Sequence, residues 1–167
     1  MIDLIKYSLM WVALVVLQIV LFNHIQFSGF INPYPYVLFI LLLPFDIPKY
    51  LLLILGFLLG LNIDIFSNTP GVHASATLFL AFLRPTVTAL ISSRDMLDSN
   101  AYPRIRQMGV PWFIKYTVIL ILAHHLFLFY IEVFTLKGFI FTFLRSILSA
   151  VFTIILIILS QFLIYKE

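Results

Sequence analysis

The densest set of residues able to do chemistry lies in Gly56-Phe57-Leu58-Leu59-Gly60-Leu61-Asn62-Ile63-Asp64 and its continuation Pro70-Gly71-Val72-His73. A carboxylate and an imidazole set among leucines and phenylalanines are costly in an apolar medium, so each needs a partner or a task. Gly56, Gly60 and Asp64 recur every four residues and share one helix face. The two glycines form a small-xxx-small pair, which admits a second helix at close range. That face is small, then acidic, and should point at protein. Two readings follow from it. One is packing within the chain, with Asp64 satisfied by a neighbouring helix or by capping the turn that follows. The other is a groove for a partner or ligand.

Arg145 is the counter-charge expected for Asp64. Asp64 nears the end of one apolar run, and Arg145 stands about seven residues into another from the same side, ~10 Å of depth that an arginine stem can cross. Glu132 competes for Arg145. Arg84-Pro85 falls late in an apolar run, where Pro85 removes a helix hydrogen bond and Arg84 is expected to reach the lipid headgroups. His124 and His125 are adjacent, so they lack the i,i+4 spacing of a helical metal pair, and no metal site is expected. His125 and Glu132 share a face and suggest an interior hydrogen bond. Nucleotide-binding, nucleophile-elbow and zinc-protease motifs are missing, so no catalytic residue and no cofactor is expected.

The elements that must position these residues follow from hydropathy. Of the 167 residues 63% are hydrophobic and 10% charged, and there is no cysteine. A soluble domain is nearer half apolar and a quarter charged, so the solvent for this chain is lipid. The expected fold class is all-α: one polytopic membrane domain with six transmembrane helices at about 4–22, 34–46, 50–66, 72–91, 112–134 and 139–165. The first run is too long for a signal-peptide core and no small-residue cleavage site follows it. The second is short, ~18 Å against a ~30 Å hydrocarbon core, and ends at Pro44-Phe45-Asp46-Ile47-Pro48.

Charge placement supports counting that short run. Six spans put Lys6, Lys49, Arg94, Arg104, Arg106, Lys115 and Lys166 on one side and leave Lys137 on the other. The rule that cytoplasmic loops are basic then places both termini, and the loop 92–111 with Arg94, Arg104 and Arg106, in the cytoplasm. That loop serves either to set topology and touch anionic lipid or to dock a cytoplasmic partner.

The stretch Leu55–Ala74 resembles the central signature of the bacterial rod shape-determining protein MreD family: a Gly-spaced helix, an Asp, a Ser or Thr with a Pro-Gly turn, then a small-residue helix. The six-span layout is similar too. The resemblance implies a non-enzymatic component of the elongation machinery in the bacterial cytoplasmic membrane. It also implies an MreC-like partner and connections to the MreB filament and peptidoglycan synthases. Gly56, Gly60, Asp64, Gly71 and His73 would be its signature positions. The family fold is similar to the substrate-binding subunits of energy-coupling vitamin transporters. The rival expectation is therefore a small-molecule-binding subunit, with a pocket drawing on His24, Gln26, Asn62, Asp64, His73 and Glu132.

Overall fold

The computed structural model describes residues 2–25, 30–93, 102–135 and 137–164. They form helices joined by turns. α1 (Ile2–Leu17) runs into a π-helical turn at Gln18–Phe22. A 3-10 turn at Pro35–Val37 leads into a one-turn helix, α2 (Leu38–Leu42). The long helices α3 (Lys49–Ser67) and α4 (Val72–Ile91) follow. A short α5 (Ile105–Met108) precedes α6 (Val110–Val133) and α7 (Phe139–Ile164).

Five segments are long and apolar enough to cross a membrane: Leu4–Phe22, Lys49–Ser67, Val72–Ile91, Val110–Val133 and Phe139–Leu163. Their outward faces are apolar, with Leu9, Val16, Ile54, Phe57, Phe82, Leu148, Ile155 and Leu163 all exposed. A chain with those faces is a polytopic membrane protein, because only hydrocarbon tolerates them at this density.

Residues 34–46, expected as one more helical span, take a different form. Only the 3-10 turn and α2 are helical, and the stretch Tyr36–Leu43 is buried inside the bundle. Prolines at 33, 35, 44 and 48 explain the shortness, since each removes a donor and disfavours helix in the residue before it. The segment is enclosed by the long helices, and its contacts step along them in order. The N–H groups of Asn32 and Tyr34 donate to Ser149 Oγ and Thr153 Oγ1 of α7, both at 3.0 Å. Tyr36 meets α4 and α6. The Leu41 carbonyl accepts from Tyr116 Oη at 3.0 Å, and Phe45 packs edge-on to Trp112.

Arg84 completes this segment, and the expectation that it reaches the headgroups is corrected. It is 2% exposed. Its guanidinium donates to the carbonyls of Leu43 and Pro44, and its Nε to Tyr116 Oη at 2.8 Å. A five-residue helix leaves its last carbonyls without intrahelical partners, and no water enters hydrocarbon to satisfy them. A cation at that negative helix end meets both needs.

α3 and α4 form an antiparallel hairpin, with α6 and then α7 packed on from α4. Phe79 and Phe127 stack at 4.4 Å between α4 and α6. α7 turns a row of small and polar residues inward, with Thr142, Ser146, Ser149, Ala150 and Thr153 all buried. α1 is the least buried of the long helices. It is tied in by Gln18, whose Nε2 donates to Asn23 Oδ1 and to the Pro33 carbonyl.

Candidate functional site

The five residues singled out around the Pro-Gly turn form one device. α3 ends with Asn68 in the left-handed region at φ 55°, and Gly71 follows at φ 83°. The second suits glycine, which pays no steric cost there. The sharp reversal brings the start of α4 back against α3. At Gly60 a Cβ would collide with the His73 carbonyl, and at Gly56 it would lie 2.8 Å from Ala81 Cβ. The small face is therefore filled by α4, which is the intrachain packing reading.

Asp64 caps the incoming helix. Its carboxylate accepts the N–H groups of Gly71 at 3.1 Å, His73 at 2.9 Å and Ala74 at 2.9 Å, and the Thr69 hydroxyl at 3.0 Å. The N-cap residue Gly71 has no side chain to do this. A carboxylate from the preceding helix supplies the missing acceptor and complements the positive helix end.

This geometry corrects the expected Asp64–Arg145 ion pair. Asp64 is 3% exposed and turned into the α4 terminus. Arg145 instead meets Glu132, Nη1 to Oε2 and Nη2 to Oε1 both at 3.4 Å, and lies over the Phe129 ring. Two residues on adjacent helix ends, α6 and α7, find each other before either finds α3. The suggested His125–Glu132 hydrogen bond is also replaced: His125 contacts the Ile121 carbonyl and Thr153 Oγ1, each at 3.0 Å.

His73 joins a buried polar hub that sequence reasoning missed. Tyr36 Oη lies 3.0 Å from His73 Nδ1, 3.1 Å from Thr77 Oγ1 and 3.3 Å from His124 Nε2. His124 and His125 approach through their Nδ1 atoms at 3.5 Å. Neutral tautomers satisfy the centre of the chain. His125 Nδ1–H donates to Ile121, His124 Nε2–H donates to Tyr36, and Tyr36 donates to His73 Nδ1, while the single Thr153 hydroxyl proton is contested between the Ser149 carbonyl at 2.8 Å and His125 Nε2 at 3.0 Å. That leaves His73 Nε2–H as a remaining donor. Tyr34 stacks edge-on to His73 at 4.9 Å.

Tyr34 and His73 also line a polar cavity of about 420 Å3 at the end of the bundle that holds the α3–α4 turn. Asn23, His24, Asn32 and Ser67 contribute from three further segments, and Glu132 and Arg145 from α6 and α7. Asn23 is fixed there by donating to Ser67 Oγ at 3.0 Å. Of the pocket residues expected from sequence, the structure gathers His24, His73 and Glu132. Asn62 and Asp64 are not among its walls, and Gln26 lies outside the described residues. The walls can hold charged and hydrogen-bonding groups.

An apolar groove of about 600 Å3 lies at the opposite, basic end, between α1 and the α2–α3 region, lined by Tyr7, Trp11, Phe39, Pro44, Ile47 and Leu51 among others. Of the basic-loop residues, Arg104 rests on the Tyr102 ring, Arg106 is exposed and Arg94 lies outside the described residues. No family model, no curated protein and no solved structure matches this chain.

Proposed function

We propose that this chain is a non-enzymatic component of the bacterial cell-elongation machinery, controlling cell shape and peptidoglycan synthesis from the cytoplasmic membrane. It binds an MreC-like partner and connects with the MreB filament and peptidoglycan synthases. The observation that carries this reading is the Gly56–His73 signature, whose residues act together in one capped hairpin. The reading takes residues 34–46, with Asn32 and Pro33 completing the end, as a sixth crossing. In support, that segment's contacts run from the turn end at Ser149 and Thr153 to the basic end at Arg84. Six crossings put both termini and the basic loop in the cytoplasm.

Because α4 fills the glycine face of α3, partner contact falls to lipid-facing sides of the helices, of which α1, the least buried, and the terminal α7 are the first to test. The chain has no cysteine, so single cysteines report without background. Cysteines at Leu9, Val16, Leu148 and Ile155 should crosslink to the MreC-like protein in native cells, and depletion should round the cells. Failure of every position to crosslink, together with normal shape on depletion, rejects the proposal. The polar cavity favours a second reading, a small-molecule-binding subunit of a vitamin transporter. A copurified vitamin, or transporter ATPase genes beside this one, would put that reading first.

A further inference from the structure

We infer that the polar cavity at the turn end binds a small zwitterion, a molecule carrying an ammonium and an anionic group a few ångströms apart. Arg145 and Glu132 stand side by side in its wall, with contacts of 3.4 Å, longer than the ~2.8 Å of a close charge-assisted pair. Their side chains keep 20% and 32% exposure. Arg145 Nε is buried and has no hydrogen-bond partner, so the guanidinium donates below its capacity.

A ligand with one charge leaves either Arg145 or Glu132 unmatched, whereas a ligand with both lets each residue keep a counter-charge. The anion takes Arg145 and the ammonium takes Glu132. His73 and Asn32, also in the wall, offer polar contacts to the rest of the molecule. His73 is oriented for this by Tyr36, which is itself held by Thr77 and His124. A rigid, pre-satisfied surround of that kind is what a specific site needs. The volume of about 420 Å3 falls within the ~300–1,000 Å3 of small-molecule sites.

Two sources carry this chemistry: a phosphoethanolamine lipid headgroup, and a free amino acid or dipeptide. The site uses the cavity that favours the transporter reading but requires no transport, and it stands equally in a scaffold.

The experiment uses the full chain purified in detergent, with two arms. Native mass spectrometry reads phosphatidylethanolamine retained after extraction from vesicles of phosphatidylethanolamine and phosphatidylglycerol. Thermal unfolding reads binding of alanyl-alanine and of glycerophosphoethanolamine, with acetate and methylamine as single-charge controls. A zwitterion should bind in at least one arm, and E132Q and R145Q should each weaken it by about tenfold or more. Asn32→Ala keeps the ion pair and should weaken binding less, which covers the case of a charge variant that does not fold. Binding in neither arm, binding unaffected by the substitutions, or equal binding of acetate overturns the inference. A copurified vitamin indifferent to E132Q and R145Q would also end it, while leaving the transporter reading intact.

Discussion

The carboxylate of Asp64 and the backbone nitrogen of Ala74 lie 2.9 Å apart, so the last turn of one membrane helix caps the first turn of the next. The pairing explains the order of the signature. Gly60 admits the α4 backbone, Asp64 one turn later accepts its free N–H groups, and Gly71 makes the reversal between them.

Asp64→Ala leaves the N–H groups of Gly71, His73 and Ala74 without their acceptor. At about 1–3 kcal/mol per buried unsatisfied donor, the expected destabilisation is about 4 kcal/mol. Asp64→Asn keeps one acceptor oxygen and should lose roughly half as much. Equilibrium unfolding in mixed micelles reads both, and a wild-type midpoint for Asp64→Asn would show that the charge contributes nothing.

The three signature glycines should rank by their surroundings. Gly60→Ala drives a methyl into the His73 backbone and should separate α3 from α4, at a cost of about 3 kcal/mol or more. Gly56→Ala meets Ala81 Cβ at 2.8 Å and the Thr77 carbonyl at 3.0 Å, and should cost about 1–3 kcal/mol. Gly71→Ala meets nothing within 4 Å but sits at φ 83°, and should cost only about 1 kcal/mol. Expression and unfolding midpoints should follow that order. Gly71 as the most sensitive position would contradict it.

Arg84→Met removes the donors that satisfy the Leu43 and Pro44 carbonyls. About 3 kcal/mol should be lost, since a buried partner set is broken on one side. Tyr116→Phe removes a single hydroxyl that accepts from Arg84 and donates to Leu41, and should cost about 1 kcal/mol. Accessibility of a cysteine at Leu41 to a membrane-impermeant thiol reagent should rise in Arg84→Met. Unchanged protection would mean that α2 holds without its cap.

Asp64→Ala and Arg145→Ala should act additively, because the two residues share no contact. Coupling belongs instead to Glu132 and Arg145, and it should be small, about 0–1 kcal/mol, for a pair this exposed. A double-mutant cycle on each pair separates the cases. Strong coupling between Asp64 and Arg145 would contradict the observed partners.

Tyr36→Phe removes the hydroxyl shared by His73, Thr77 and His124. The expected cost is about 2 kcal/mol, as buried ring nitrogens lose their bridge. A neutral result in unfolding measurements would mean that the histidines re-pair without it.

The long helices were legible because apolar runs of about 20 residues have few alternatives, and the α3–α4 hairpin because Gly56, Gly60 and Asp64 share a spacing. Cap geometry was legible as one of two options at Asp64. The partners of Arg84 and Arg145 were not, since hydropathy gives depth along a helix but not the direction a side chain faces. Tyr36, the centre of the hub, lay hidden in a run that looked merely apolar. One signal could have pointed to the α7 side of it: Thr142, Ser146, Ser149 and Thr153 recur every three or four residues, a polar stripe that a lipid-facing helix would not carry.

The segment at 32–46 has a consequence for biogenesis. Apart from Gln18, its hydrogen-bonding anchors are made long after it, Arg84 and Tyr116 first and Ser149 and Thr153 last. As the ribosome delivers the chain, Gln18 is present to meet the Pro33 carbonyl, but the N–H groups of Asn32 and Tyr34 and the carbonyls of Leu41, Leu43 and Pro44 emerge before the side chains that close them. It must wait beside the insertion machinery, in water or at the interface, until α7 arrives. Truncations that end before α7 should therefore strand it outside the bundle and hand the whole chain to membrane proteases.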